Sequence, residues 1–165
     1  MQKLLIYFVL IGSFFGCKKE VKPDTVVNST TQFVSFQNTP KTVTFNAEAS
    51  KILSSWPEFQ ALQNSFEVMY RAENNEDLVL AIDDILEKEK GLRESIYPEA
   101  FNKEQVKSRQ KVVRTFLLKI KASLAESTDL NEPIKQMLTA RNAFRNQFNR
   151  IISNKLDTKL ILDEN

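Results

Sequence analysis

The chain has 165 residues, with 23 Lys and Arg against 21 Asp and Glu, no histidine and a single cysteine. A net charge of +2 gives no strong field to steer it onto nucleic acid or anionic lipid. The missing histidine removes Ser-His-Asp and Cys-His catalysis and the commonest zinc and copper ligand, and one cysteine leaves no intrachain disulfide.

The N-terminus reads as a secretory signal. Met1-Gln2-Lys3 carries positive charge, Leu4 to Ile11 is an unbroken apolar run, and a small residue, Gly16, precedes Cys17. The apolar stretch is well short of the roughly 20 residues a spanning helix needs. Gly16-Cys17 resembles the cleavage site of bacterial lipoproteins. Phe15 stands where that family usually has a small residue, and relaxed sites of this kind resemble those of small Bacteroidetes lipoproteins of unknown function. The resemblance implies removal of residues 1–16, three acyl chains on Cys17 and attachment to a membrane. A blocked Cys17 is neither a nucleophile nor a metal ligand. Each buried methylene contributes about 0.8 kcal/mol, so three chains anchor permanently. Lys18, where an Asp would retain such a protein in the inner membrane, implies the outer membrane. Lys18-Lys19-Glu20 is similar to a short surface-export stretch and reads more simply as a hydrated spacer, so the periplasmic side is the expected location.

Residues 17–46 read as a lipidated, extended tether. Pro23 and Pro40 interrupt Thr, Ser, Asn and Gln, and three short segments have strand character without a clear partner. About 28 free residues would span about 30 Å. One short extended piece is expected to pack on the folded domain.

Residues 47–157 read as an all-α, up-down antiparallel bundle of three to four helices behind that tether. A short helical piece is expected over Ala47–Leu53. Ser55 and Glu58 then form a capping box for a helix reaching Ala72, with Trp56, Phe59, Leu62, Phe66 and Met69 on one face. Asn75 caps a second helix carrying Leu78, Ile82, Ile85, Leu86 and Leu92, which ends before Pro98. Gly91 weakens it by about 1 kcal/mol relative to alanine. Asn102 caps a third helix with Val106, Val113, Phe116, Leu117, Ile120 and Leu124. After Ser127-Thr128-Asp129 the last helix carries Ile134, Met137, Leu138, Phe144, Phe148, Ile151 and Ile152. Short connections favour antiparallel neighbours, and residues 158–165 are expected to fray.

The charged residues give little sign of chemistry. The second helix is acidic, and Asp83 and Glu87 share a face, but one helix face supplies few of the six to eight oxygens calcium needs, so its carboxylates read as solvated. The third helix is basic and is expected to pair with the acidic one. Carboxylate metal sites in bundles need Glu-x-x-His pairs, which a chain without histidine lacks. On the last helix Arg141, Arg145, Phe148 and Arg150 offer a candidate partner face. The expectation is a membrane-anchored interaction or scaffold domain of the cell envelope, lipidated at Cys17, with an envelope protein as partner. No catalytic residue, cofactor, metal or nucleic acid is expected. The alternative is a binder of a small ligand or envelope polymer, such as peptidoglycan or lipopolysaccharide, through a basic helical face.

Overall fold

A computed structural model describes residues 33, 34, 36 and 39–163, with side chains described to residue 154. Gly16, Cys17 and the signal segment 1–16 lie outside the described residues, as does most of the expected tether. All regular elements among the described residues are helices. In chain order come α1 (Ala47–Ser54), α2 (Pro57–Met69), α3 (Asn75–Glu94), a 3-10 turn (Glu99–Phe101), α4 (Glu104–Ala125) and α5 (Asn131–Asp163). Neighbouring helices run antiparallel: Asp83 meets Lys121 while Glu89 meets Arg114, and Phe59 meets Phe148 while Phe66 meets Arg141. α5 packs on α4, α4 on α3 and α3 on α2, with short α1 wedged against α2 and α5.

The caps explain where these helices start, and three differ from expectation. Asn74, not Asn75, caps α3. Its Oδ1 accepts from Asp77 N at 2.8 Å, and the Asp77 carboxylate accepts from Asn74 Nδ2 at 2.9 Å. The cap moves one residue back because Asp77 then falls at the third helical position and can reciprocate. The expected capping box of Ser55 and Glu58 does not form. Only Ser55 and Trp56 separate α1 from α2, so the Ser55 hydroxyl instead donates to Ile52 O at 2.8 Å and closes α1. Trp56 is the cap of α2 without a side-chain bond, and Pro57 follows where its missing N–H costs nothing. Asn102 ends the 3-10 turn that follows Pro98, and α4 is capped by Lys103.

α4 ends in a Schellman motif, with Thr128 N on Ser123 O at 3.0 Å and Ser127 N on Leu124 O at 3.2 Å. Ser127 takes the left-handed position, at φ 52°. α5 continues to Asp163, past the helix end expected at 157.

The core is a ladder of aromatic rings between α2 and α5. Phe59 packs against Phe148 at 5.3 Å and Phe144 at 6.3 Å, and Phe148 also meets Phe101 at 4.7 Å. Trp56 is buried with them, stacked on Phe59 at 5.8 Å, and its indole N–H donates to Ser95 Oγ at 3.0 Å.

Candidate functional site

The four residues expected to form a partner face do not share a surface. Phe148 is fully buried, Arg141 is 2% exposed and Arg145 9%, and only Arg150 is exposed. Arg141 and Phe148 fall on the same three- and four-residue spacing as Ile134, Met137, Phe144 and Ile152, so the helix turns them inward.

The neighbouring polar residues of α5 do hold a partner, and it is an upstream segment of the same chain. Residues 41–46 lie extended along α5. Asn142 Oδ1 accepts from Val43 N at 2.9 Å, and its Nδ2 donates to Lys41 O at 2.8 Å. Asn149 repeats the pattern, accepting from Asn46 N at 2.9 Å and donating to Thr44 O at 2.8 Å. Arg145, between them, donates to Val43 O at 2.6 Å. Spaced three and four apart, these residues face the same way. An amide side chain offers both a donor and an acceptor, so a helix here pairs with an extended strap much as a neighbouring strand would. Further up the strap, Phe36 packs on Tyr70 at 5.3 Å, and Val34 is buried.

Under the strap, Arg141 and Arg145 both donate to Gln63 Oε1. Arg141 also donates to Tyr70 Oη at 3.1 Å and lies 4.3 Å over the Phe66 ring, while Arg145 lies 3.9 Å over Phe45. The nearest carboxylate is Glu67, 3.5 Å from Arg141 and 60% exposed. Burial and the neighbouring Arg141 pull the Arg145 guanidinium down to about 10.

A second polar cluster joins α3 to α4, and it corrects the reading of the acidic helix as a solvated face at one residue: Glu76, Asp77, Asp83, Glu87 and Glu94 are exposed, but Glu89 is not. Glu89 is completely buried. Its Oε2 meets Arg114 at 2.7 Å and Arg93 at 3.6 Å, and its Oε1 accepts from Gln110 Nε2 at 3.0 Å. The Tyr97 hydroxyl donates to Gln110 Oε1. Burial, then the Glu89 charge, pushes the Tyr97 phenol up to about 12. Above the cluster a cavity of about 80 Å³ is lined by Glu89, Arg93, Tyr97, Lys107, Gln110 and Lys111. Asp83, expected on one face with Glu87, pairs across to Lys121 at 2.6 Å. The expected pairing of acidic and basic helices is therefore present.

A third feature lies on the far side of α4. A groove of about 290 Å³ runs between α4 and α5, floored by Val112, Phe116, Ala140 and Ala143 and rimmed by Arg109, Glu132, Lys135 and Gln136. Val112 is 39% exposed there. Glu132 accepts from Gln136 Nε2 at 2.9 Å, and Gln136 Oε1 accepts from Lys119 at 2.9 Å. The small side chains of α5 leave room beside Phe116, and cations predominate on the rim.

Among the described residues, no group of three His, Cys, Asp or Glu side chains could hold a metal ion, and no helix is long and apolar enough to cross a membrane. No protein-family model matches the chain, and neither does any curated protein or solved structure.

Proposed function

We propose that this protein is a lipid-anchored, non-catalytic interaction domain of the cell envelope, held at the periplasmic side of the outer membrane through Cys17. The groove between α4 and α5 is the face it offers. Gly16-Cys17 after a short apolar run supports the anchor. The groove carries the interaction reading. It is an apolar strip left open on the two longest helices, while the polar face of α5 is already taken by the strap. Its volume of about 290 Å³ lies at or just below the low end of the roughly 300–1,000 Å³ typical of whole small-molecule sites. A groove of that size takes a few side chains from a partner helix laid along it. Arg109 and Lys135 on the rim, with Lys119 beside Gln136, favour a partner whose apolar stripe is flanked by Asp or Glu.

The test is crosslinking in the natural host, then affinity purification of the lipidated chain. One envelope protein near stoichiometry is expected, contacting the groove through an amphipathic segment with acidic flanks. It should be lost with Val112→Glu and kept with Lys51→Glu on α1. Equal recovery with both variants would remove the groove from the account. Cys17→Ser should release the chain from the membrane fraction, and continued retention would sink the anchor.

A further inference from the structure

We propose that the cavity between α3 and α4, over Glu89 and Tyr97, binds the dianionic group of a phosphate monoester. Three cationic side chains converge there: Arg93 from α3, and Lys107 and Lys111 one turn apart on α4. The single carboxylate at the floor is already engaged. Both Glu89 oxygens are taken, Oε2 by Arg114 at 2.7 Å and more loosely by Arg93 at 3.6 Å, and Oε1 by Gln110 at 3.0 Å, and Glu89 is sealed from solvent. Two other carboxylates approach the cations from outside. Glu94 is 4.0 Å from Arg93 and Glu104 is 3.5 Å from Lys107, and they are 61% and 86% exposed. Pairs that open to water hold weakly and yield to a better anion. Lys111 has no carboxylate within ion-pair distance among the described residues.

The walls are fixed before any ligand arrives. The Tyr97 hydroxyl is tied to Gln110, Gln110 Nε2 also donates to Glu89 O at 3.1 Å, and Lys107 lies 5.7 Å over the Tyr97 ring. The raised phenol stays protonated through the physiological range, so no negative charge from Tyr97 competes with an anion. Size restricts the ligand. About 80 Å³ is several times the roughly 10–15 Å³ that one water needs, which suits a phosphoryl group. Charge selects further, because a monoester carries about −1.5 to −2 at neutral pH and three convergent donors favour it over a single carboxylate. The site lies on the face of α4 opposite the groove: Lys107, Lys111 and Arg114 are on one side, Arg109, Val112 and Phe116 on the other. It therefore stands or falls separately from the docking reading.

The protein carries its own reporter. Trp56 is the only tryptophan, and its ring centroid lies 4.8 Å from that of Tyr97. The full-length chain in detergent is titrated with inorganic phosphate at constant ionic strength while Trp56 fluorescence is followed. A parallel arm places the anchored chain in phosphatidylcholine vesicles with and without phosphatidic acid and follows the same Trp56 signal. A saturable response to inorganic phosphate, weakened at least about tenfold by Lys111→Glu, supports a free phosphate compound as ligand. A Trp56 response only in the phosphatidic acid vesicles, with the same sensitivity, supports a lipid headgroup. Lys111 is exposed, so its replacement leaves the fold intact, and Val112→Glu should bind phosphate as the parent does. No saturable response in either arm, or responses indifferent to both Lys111→Glu and Lys107→Gln, would overturn the proposal.

Discussion

The two buried charge clusters of this bundle are built on opposite plans. Between α3 and α4, one buried carboxylate is met by two guanidiniums that reach solvent, 31% and 38% exposed, and by a glutamine, so the buried charge is compensated. Beneath the strap, two arginines share a glutamine oxygen, each lies over its own aromatic ring, Arg145 alone reaches a backbone carbonyl, and the nearest carboxylate is largely in solvent. The first cluster depends on groups fixed in neighbouring helices. The second also needs the strap, which supplies Val43 O and the Phe45 ring, and Phe45 packs in turn on Phe59 and Phe148 of the core. The difference separates a cluster made wholly within the bundle from one that the strap completes. It also shows why the polar face of α5 is closed to a partner: its own chain already fills it.

Breaking each cluster should give different signatures. The largest effect is expected from Glu89→Ala, which removes from a buried position the carboxylate of Arg114, an ion-pair partner of Arg93 and one of the two acceptors of Gln110 Nε2. The arginines left behind are 31% and 38% exposed, so the cost falls at or just below about 3 kcal/mol, the low end for a buried pair, seen as a lower midpoint in urea unfolding followed by helical circular dichroism. A loss below about 1 kcal/mol would mean that the arginines swing to water and the cluster is not structural.

A smaller and more local effect is expected on the other side. Asn142→Ala with Asn149→Ala removes four hydrogen bonds to the strap at partly exposed positions, each worth about 0.5 kcal/mol there, roughly 2 kcal/mol together. Amide exchange should accelerate at Val43 and Asn46 while the α3–α4 pair keeps its protection. If α3 and α4 lose protection equally, the strap is part of the cooperative core and the contrast between the clusters is wrong.

The smallest effect concerns neither cluster and calibrates both. Ser127 holds a left-handed conformation that glycine adopts without penalty, so Ser127→Gly should stabilise the bundle by about 1 kcal/mol. Thermal unfolding would check it, and a destabilised variant would mean the Schellman turn is not the α4 terminus in solution.

The helices were legible because apolar residues recur at three and four along each, and their breaks carry Asn, Pro or Ser. The buried polar clusters were not read, although the signal was present. Glu89 sits between Ile85 and Leu92 at the spacing of the apolar stripe. Gln110 sits between Val106 and Val113, and Arg141 between Met137 and Phe144. A charged run draws attention to its sign, while register decides which of its members turn inward. The register of two polar residues, one on each of two paired helices, forecasts that they meet, as Glu89 and Gln110 do. The strap was harder to foresee. Its contacts join residues about a hundred positions apart and run from side-chain amides to backbone, so the polar stripe of Asn142, Arg145 and Asn149 shows on α5 but the residues 41–46 that it holds carry no matching pattern. The groove could not be read either, because it depends on small residues of α5 facing Phe116 across the pair.

The most direct test places a photo-crosslinking residue at Val112 in one chain and at Asn142 in another, with irradiation in the natural host. The account predicts that the probe at 112 captures an envelope protein through an amphipathic, acid-flanked segment, and that the probe at 142 crosslinks to residues 41–46 of its own chain. Capture of the partner from 142, with nothing captured from 112, would contradict it.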